Sequence, residues 1–316
     1  MPDAELTIGI DFGGTTVKTA AVHQSHIIDQ APPIATQEFN TAAELIEAMS
    51  RSVKDLVVRH PQVKSVGVGM PGFVNFEKGL VYGLTNVPGW KSVPLKSILE
   101  ARLDLPVTVD NDANCMAIAE WHLGAGRGYK HVIFATLGTG VGGAVIANGQ
   151  MIRGMRHGAG EIGQTSIDYQ GRPGHYGNLG ALEEYIGNRE ITTRALEAYT
   201  AAGIQKFPEN CSPAALATAA HQGDAIALAL WDDVARMLAT ALMNCCWLLN
   251  PQAIVIGGGV ARAGDLVFDP LKKHLFSQLS GTFLEDLVIL PASFGHEAGI
   301  IGAAALARAT SEGAVV

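Results

Sequence analysis

The sequence predicts a duplicated α/β protein, and three observations predict it. Short β-type apolar runs alternate with helical stretches along the 316 residues, the pattern of sheets covered by helices. Each half opens on two apolar strands around a Gly/Thr turn, so that DFGGTTVKTAAV and LGTGVGGAVIANG form an internal pseudo-repeat. No linker, low-complexity tract or charge run interrupts the chain.

Taken in order, LTIGIDFGGTTVKTAAVH reads as two strands joined by a glycine turn. TAAELIEAMSRSVKDLVVRH has apolar residues at helical spacing and stops before Pro61. VKSVGVGMPGFVN is a strand that ends in a Pro71-Gly72 loop, and LPVTVDNDANCMAIAEWHLG is a strand, a polar loop and a helix. HVIFATLGTGVGGAVIANGQ repeats the opening hairpin. Helices are expected over 181–202, 212–221 and 224–249, then the buried strand AIVIGGGV and a helix after Ala263. The strand DLVILPASF and a closing helix of small residues, AGIIGAAALARAT, complete the chain. The expected lobes are 1–117 together with 298–316, and 118–297.

A content of 48% hydrophobic against 16% charged residues supports a large buried core. No run of about 18 apolar residues predicts a membrane span, and the acidic opening MPDAELTIGIDFGG is unlike a secretory leader. The net charge of −8 disfavours a nucleic-acid surface. Cys115, Cys211, Cys245 and Cys246 form no CxxC pair; Cys245 and Cys246, in the apolar run ATALMNCCWLLN, are expected as buried thiols in a helix, which fits a reducing cytoplasm. Thirty-seven glycines, many clustered, point to tight turns and backbone brought close to a ligand.

Asp11 stands beside a hairpin of Gly13, Gly14, Thr15 and Thr16 that has little side-chain bulk. Backbone N–H groups there can reach phosphate oxygens, and the hydroxyls add donors. The carboxylate suits Mg²⁺, which keeps waters and takes one or two protein carboxylates with phosphates. An ordinary tight hairpin explains Gly-Gly equally well at one site. The loop Leu137-Gly138-Thr139-Gly140-Val141-Gly142-Gly143 repeats the chemistry, however, and favours phosphate. Gly257-Gly258-Gly259, after an apolar strand, reads as a turn on which a nucleotide base can lie. Gly138–Gly143 spells GxGxxG but joins two strands rather than opening a helix, and GxxxxGK(S/T) is absent, so Rossmann and P-loop readings are weak. Two phosphate hairpins and a third glycine loop are the layout of the actin-like ATPase (ribonuclease H-like) fold, with two lobes and a cleft between them.

VDNDAN places Asp110, Asn111, Asp112 and Asn114 between a strand and a helix. A helix cap needs one such residue, a role expected of Asp110 or Asn114. Phosphoryl transfer to an alcohol needs an aligned hydroxyl, a carboxylate to accept its proton, and Mg²⁺. Asp112 is the candidate base and Asn111 the candidate to hold a neighbouring hydroxyl; an aspartate of ordinary pKa is ionised at pH 7. GAGEIGQTSID and GHYGNLGALEEYIG add Glu161, Gln164, Glu183 and Glu184 among glycines. An acidic surface loop or a helix N-terminus that favours Glu is the plain alternative there.

With these motifs assembled, the chain resembles the ROK family (repressors, open reading frames and kinases), in particular its glucokinase-like sugar kinases. The resemblance rests on IGIDFGGTTVKTAAV, GVGMPGFVN, LTNVPGW, VDNDANCMAIAE, LGTGVGGAVI, GAGEIG, LEEY, PQAIVIGGGV and AGIIGAAALA in family order, over nearly the whole chain. It implies that Asp112 activates a sugar 6-hydroxyl. Asn111, Glu161, Gln164, Glu183 and the Gly72 backbone would bind the sugar. Asp11, Gly13, Gly14, Thr15, Thr16, Lys18, Gly138, Thr139 and Gly140 would handle Mg-ATP, with Asp11 meeting Mg²⁺ through water, and Gly258 and Gly259 would take the adenosine. A cytoplasmic homodimer or tetramer is implied, with closure over the sugar.

The family's structural zinc uses the histidine of GEIGH and three cysteines of a CxCGxxGCxE motif. Gln164, Gly174, Tyr176 and Ala181 stand at the corresponding positions here, so no zinc is expected. Packing of Tyr176 and Leu179 against the helix that begins near Ala181 is the expected substitute. Gln164 can donate and accept but cannot change charge, so it still suits a hydroxyl. The expected activity is ATP-dependent phosphorylation of glucose. N-acetylmannosamine, mannose, fructose and allose are the alternative acceptors, and polyphosphate the alternative donor. Two other classes are disfavoured. A regulator of the family would place a helix-turn-helix ahead of the first hairpin, which here follows Met1 closely. An actin-like filament or chaperone ATPase would not need VDNDAN or the two glutamates.

Overall fold

The computed structural model describes residues 5–84 and 87–313, so Thr85 and Asn86 of LTNVPGW lie outside the described residues. Two compact units form. One takes the chain through Gly128, Gln150–Ala159 and everything from His296; the other takes Tyr129–Gly149 and Gly160–Gly295.

The first unit starts with β1 (Leu6–Phe12), β2 (Thr16–His23), β3 (His26–Gln30) and β4 (Ile34–Ala35). Helix α1 (Ala42–Arg59) follows, opened by a capping box in which Thr41 and Glu44 satisfy each other's N–H groups. Next come β5 (Ser65–Met70), a small antiparallel sheet of β6 (Val74–Asn75), β7 (Leu80–Gly83) and β8 (Lys91–Val93), and α2 (Leu95–Leu103). Strand β9 (Val107–Asn111) runs directly into α3 (Asp112–His122). The main sheet has the order β3-β2-β1-β5-β9, antiparallel on the hairpin side and parallel from β1 to β9. Ile8, Ile10, Phe12, Val66, Val68 and Val109 are fully buried, as expected of central strands covered on both faces.

The second unit repeats this plan. β10 (Val132–Leu137) and β11 (Val141–Ala147) form the hairpin, and β12 (Gln150–Met151) leads the chain back to the first unit. Helices α4 (Glu183–Ile186), α5 (Asn188–Ala201), α6 (Pro213–His221) and α7 (Ala225–Leu249) precede β13 (Ala253–Gly257). Then come α8 (Asp265–Phe276), α9 (Gly281–Leu284) and β14 (Val288–Pro291). The order β11-β10-β13-β14 matches β2-β1-β5-β9, with the parallel partners in corresponding places. This is the duplicated α/β architecture that the paired hairpins predict.

Two differences have physical causes. The helix expected over 181–202 is broken at Gly187, where a Cβ would lie 2.8 Å from the Thr139 carbonyl oxygen. The next amide, Asn188 N–H, donates to the Gly138 carbonyl at 2.9 Å instead of continuing the helix. The boundary expected at 117 falls inside α3, and residues 150–159 rejoin the first unit, where Arg153 forms an ion pair with buried Asp110. The closing helix α10 (Ala298–Ser311) belongs to the first unit. Its small residues permit backbone-to-backbone approach: a Cβ on Gly302 would collide with the Cys115 carbonyl, and one on Gly9 or Gly67 with the α10 backbone. Among the described residues no helix is long and apolar enough to cross a membrane.

Candidate active site

In the first unit the parallel register puts Asp11, Gly69 and Asp110 side by side near the C-terminal ends of β1, β5 and β9. Ligands of parallel sheets bind beyond those ends. Asn111 comes next and caps α3, accepting the Asn114 N–H at 3.1 Å. Its amide donates to the Gly72 carbonyl at 3.0 Å, tying the Pro71-Gly72 loop to the cap. Gly72 holds φ +78°, a conformation that disfavours any side chain. Asp112 is the first residue of α3, and its Oδ1 accepts the Ala113 N–H at 2.8 Å. Lys18 is the register partner of Asp11 across the hairpin that carries Gly13, Gly14, Thr15 and Thr16. Asp11, Gly72, Asn111 and Asp112 are thus brought to one edge of one sheet.

The cap is therefore Asn111 rather than Asp110 or Asn114. Asp110 is 1% exposed, and its Oδ2 accepts from Arg153 Nη2 at 2.7 Å and Nε at 3.0 Å. Its Oδ1 takes the Asn111 N–H at 2.8 Å and Asn114 Nδ2 at 3.0 Å. A buried carboxylate demands such partners, but nothing local in the sequence identifies Arg153 as the cation. The guanidinium also lies over the Phe76 ring, 3.8 Å from its centroid.

Burial raises the Asp11 carboxyl above its ordinary value, with Lys18 opposing the shift. The folded state then holds this proton more tightly than the unfolded chain does. Asp11 lowers stability at neutral pH, and that loss disappears as pH falls through the raised value toward the ordinary 3.8. Asp11→Asn is therefore expected to stabilise the free protein at pH 7.5, with a smaller difference at pH 4.5. Thermal melts at both pH values check this, and a variant that melts lower at pH 7.5 contradicts it.

In the second unit Glu183 opens α4 and reaches the hairpin. Its Oε2 accepts the Val141 N–H at 2.8 Å, and a Cβ on Gly140 would strike that oxygen. Its Oε1 accepts from Gln164 Nε2 at 3.4 Å. Glu161 starts the short turn Ile162–Gln164, and its carboxyl is raised by burial and, secondly, by the charge of Glu183. Glu161, Gln164, Glu183 and the Gly138-Thr139-Gly140 hairpin therefore form one group. Gly258 holds φ +90° and packs on the Leu137 backbone, so the third glycine loop is built onto the base of the same hairpin.

Gly14, Gly138 and Gly259 differ from these glycines. None has a left-handed φ, and a Cβ on any of them would meet no described atom within 4 Å. Bare backbone at these three positions leaves room for an outside molecule to approach.

Zinc does not fit the segment from Gln164 to Ala181. Gly174 and Ala181 carry no donor atom, and the Gln164 amide nitrogen is directed to Glu183. Tyr176 and Leu179 are 62% and 45% exposed, so the apolar packing expected of them does not order the segment. Tyr176 instead meets the His175 ring edge-on at 4.9 Å.

Comparison with known proteins places the chain in a family. Residues 7–310 match the ROK family. A glucokinase of Halalkalibacterium halodurans is 36% identical, over 93% of this chain and 92% of the relative. A glucokinase of Streptomyces coelicolor is 33% identical over 96% and 98%. Among solved structures, a ROK family glucokinase from Streptomyces griseus in complex with glucose and AMPPNP superposes with a TM-score of 0.81. It is 33% identical and aligns over 96% of this chain and 99% of its own.

Proposed function

The chain belongs to the ROK family, and from that premise we propose that it is a hexose kinase transferring the γ-phosphoryl group of ATP to the 6-hydroxyl of glucose. The observation that carries this reading is Asp112 at the start of α3, beside a cap residue bonded to the Gly72 loop and on the sheet edge that bears Asp11. The glucokinase relatives and the glucose- and AMPPNP-bound neighbour support glucose and ATP as the pair.

Asn111, the Gly72 loop, Glu161, Gln164 and Glu183 hold the sugar hydroxyls. Asp112 accepts the 6-hydroxyl proton as the O6–P bond forms and the bond from the γ-phosphorus to the bridging oxygen breaks, releasing ADP and sugar 6-phosphate. The first hairpin, with Thr15, Thr16 and Lys18, and the second, with Gly138 and Thr139, hold the phosphates by backbone N–H groups and hydroxyls. Asp11 would hold Mg²⁺ through water, where the ion would neutralise phosphate charge. All four cysteines are buried and unpaired, which supports a cytoplasmic protein. Trp247, Leu248 and Leu249 are exposed at the end of α7 and support self-association as a homodimer or tetramer.

A coupled assay of glucose, mannose, fructose, allose and N-acetylmannosamine, each with ATP or polyphosphate, tests the reading. The highest kcat/KM is expected for glucose with ATP. ADP release indifferent to every sugar would refute it in favour of a plain ATPase, and tight sequence-selective DNA binding would favour a regulator.

A further inference from the structure

We infer that residues 164–183 are organised by a metal-free polar staple centred on Asn178, and that Asn178 is a positioning residue for Gln164 and Glu183. Its effect on sugar binding rests on the hexose-kinase reading; its effect on the segment does not. Asn178 is half-buried, and its Nδ2 donates to the Gln164 carbonyl at 2.7 Å. Its own carbonyl accepts the Gly174 N–H at 2.6 Å. Its Oδ1 lies 2.7 Å from the point where a Cβ on Gly174 would stand, and the Ala181 Cβ lies 3.1 Å from the same point. The carboxamide therefore fills the space between Gln164, Gly174 and Ala181. A side chain on Gly174 would have to displace it.

The rest of the segment zips up from that point. Ser166 bridges Ala181 and Pro173 bridges Leu179, both antiparallel. Ile167 N–H donates to the Gly180 carbonyl at 2.9 Å, Gly180 N–H to the Arg172 carbonyl at 2.7 Å, and Leu182 N–H to the Thr165 carbonyl at 3.0 Å. Tyr185 Oη accepts the Arg172 N–H at 2.8 Å and ties the turn to α4. The pairing ends on Thr165 and Leu182, the neighbours of Gln164 and Glu183. Those two side chains then meet, with Gln164 Nε2 donating to Glu183 Oε1. Gln164 Oε1 is left buried with no partner among the described residues. A buried acceptor in that state calls for an outside donor, which a sugar hydroxyl supplies. Asn178 thus holds the backbone of one sugar ligand, and through the paired strands the start of the other.

Two variants of the full chain test this. Asn178→Ala removes the carboxamide, and Asn178→Asp keeps its shape but removes the donor to the Gln164 carbonyl. In both, the amides of Ile167, Gly174, Gly180 and Leu182 are expected to exchange with deuterium at least roughly tenfold faster, with the β10–β11 amides unchanged. The glucose KM is expected to rise roughly tenfold, the equivalent of one lost net hydrogen bond, with the ATP KM within about twofold. General destabilisation would instead move both KM values and the β10–β11 amides. Unchanged exchange in the segment, or stoichiometric zinc in the purified wild-type protein, would overturn the staple. Faster exchange with an unchanged glucose KM would overturn the positioning role. If the wild type shows no sugar-dependent turnover, the kinase reading fails while the exchange experiment still decides the staple.

Discussion

Asp112→Ala is expected to lower kcat for glucose-dependent ADP release by roughly 10²- to 10⁴-fold, the range for removal of a positioned general base. The fold should survive, because the cap of α3 is supplied by Asn111, through its bond with the Asn114 N–H. The Asn111 amide also keeps its link to the Gly72 carbonyl, so the Pro71-Gly72 loop retains its anchor. A glucose KM within a few-fold of wild type and a melting curve close to it should accompany the lost turnover. Asp112→Asn keeps the shape and removes the proton acceptor, and should lose as much. Should either variant turn over normally, the base lies elsewhere.

Arg153→Leu carries the largest expected effect on stability. It leaves the Asp110 carboxylate buried without its cation, a change that costs about 3–5 kcal/mol when a buried pair is broken. Asp110 also receives the Asn111 N–H and Asn114 Nδ2, so the start of α3 depends on its orientation. Denaturant melts of Arg153→Leu, Asp110→Asn and the double variant form a cycle that separates the terms. The double variant should recover much of the loss of Arg153→Leu, because no unpaired charge remains in the interior. A single variant as stable as wild type would show that the pair contributes nothing. Loss of glucose-dependent turnover should follow the loss of stability in Arg153→Leu, since Asn111 and Asp112 are set by the same cluster.

Much of this protein is written locally and could be read from the chain. Each hairpin is a few consecutive residues whose glycines and threonines announce a tight turn beside apolar strands. The capping residues of VDNDAN precede a helical run, and the small residues of AGIIGAAALA announce close packing. Repetition of the hairpin predicts duplication of the sheet, and β2-β1-β5-β9 and β11-β10-β13-β14 show it. The roles within VDNDAN were less legible. Asp110 and Asn114 look like caps by position, yet Asn111 caps and Asp110 is consumed by a partner 43 residues away. Gly187 falls inside the expected helix, but there the chain turns and the Asn188 N–H goes to the carbonyl of the distant Gly138.

The sequence by itself determined the order of the motifs, the α/β class and the identity of the acids, because turn chemistry and apolar periodicity depend on near neighbours. Only the tertiary structure decided that Asp110 is structural, held by Arg153, and that Asn111 caps α3. It tied Glu183 to the Val141 amide 42 residues back in the chain, and it ordered the 164–183 segment through Asn178 rather than through the exposed Tyr176 and Leu179. The reason is that a buried charge or amide takes its partner from whichever residue folding brings within 3 Å or so. Spacing along the chain carries no record of that distance.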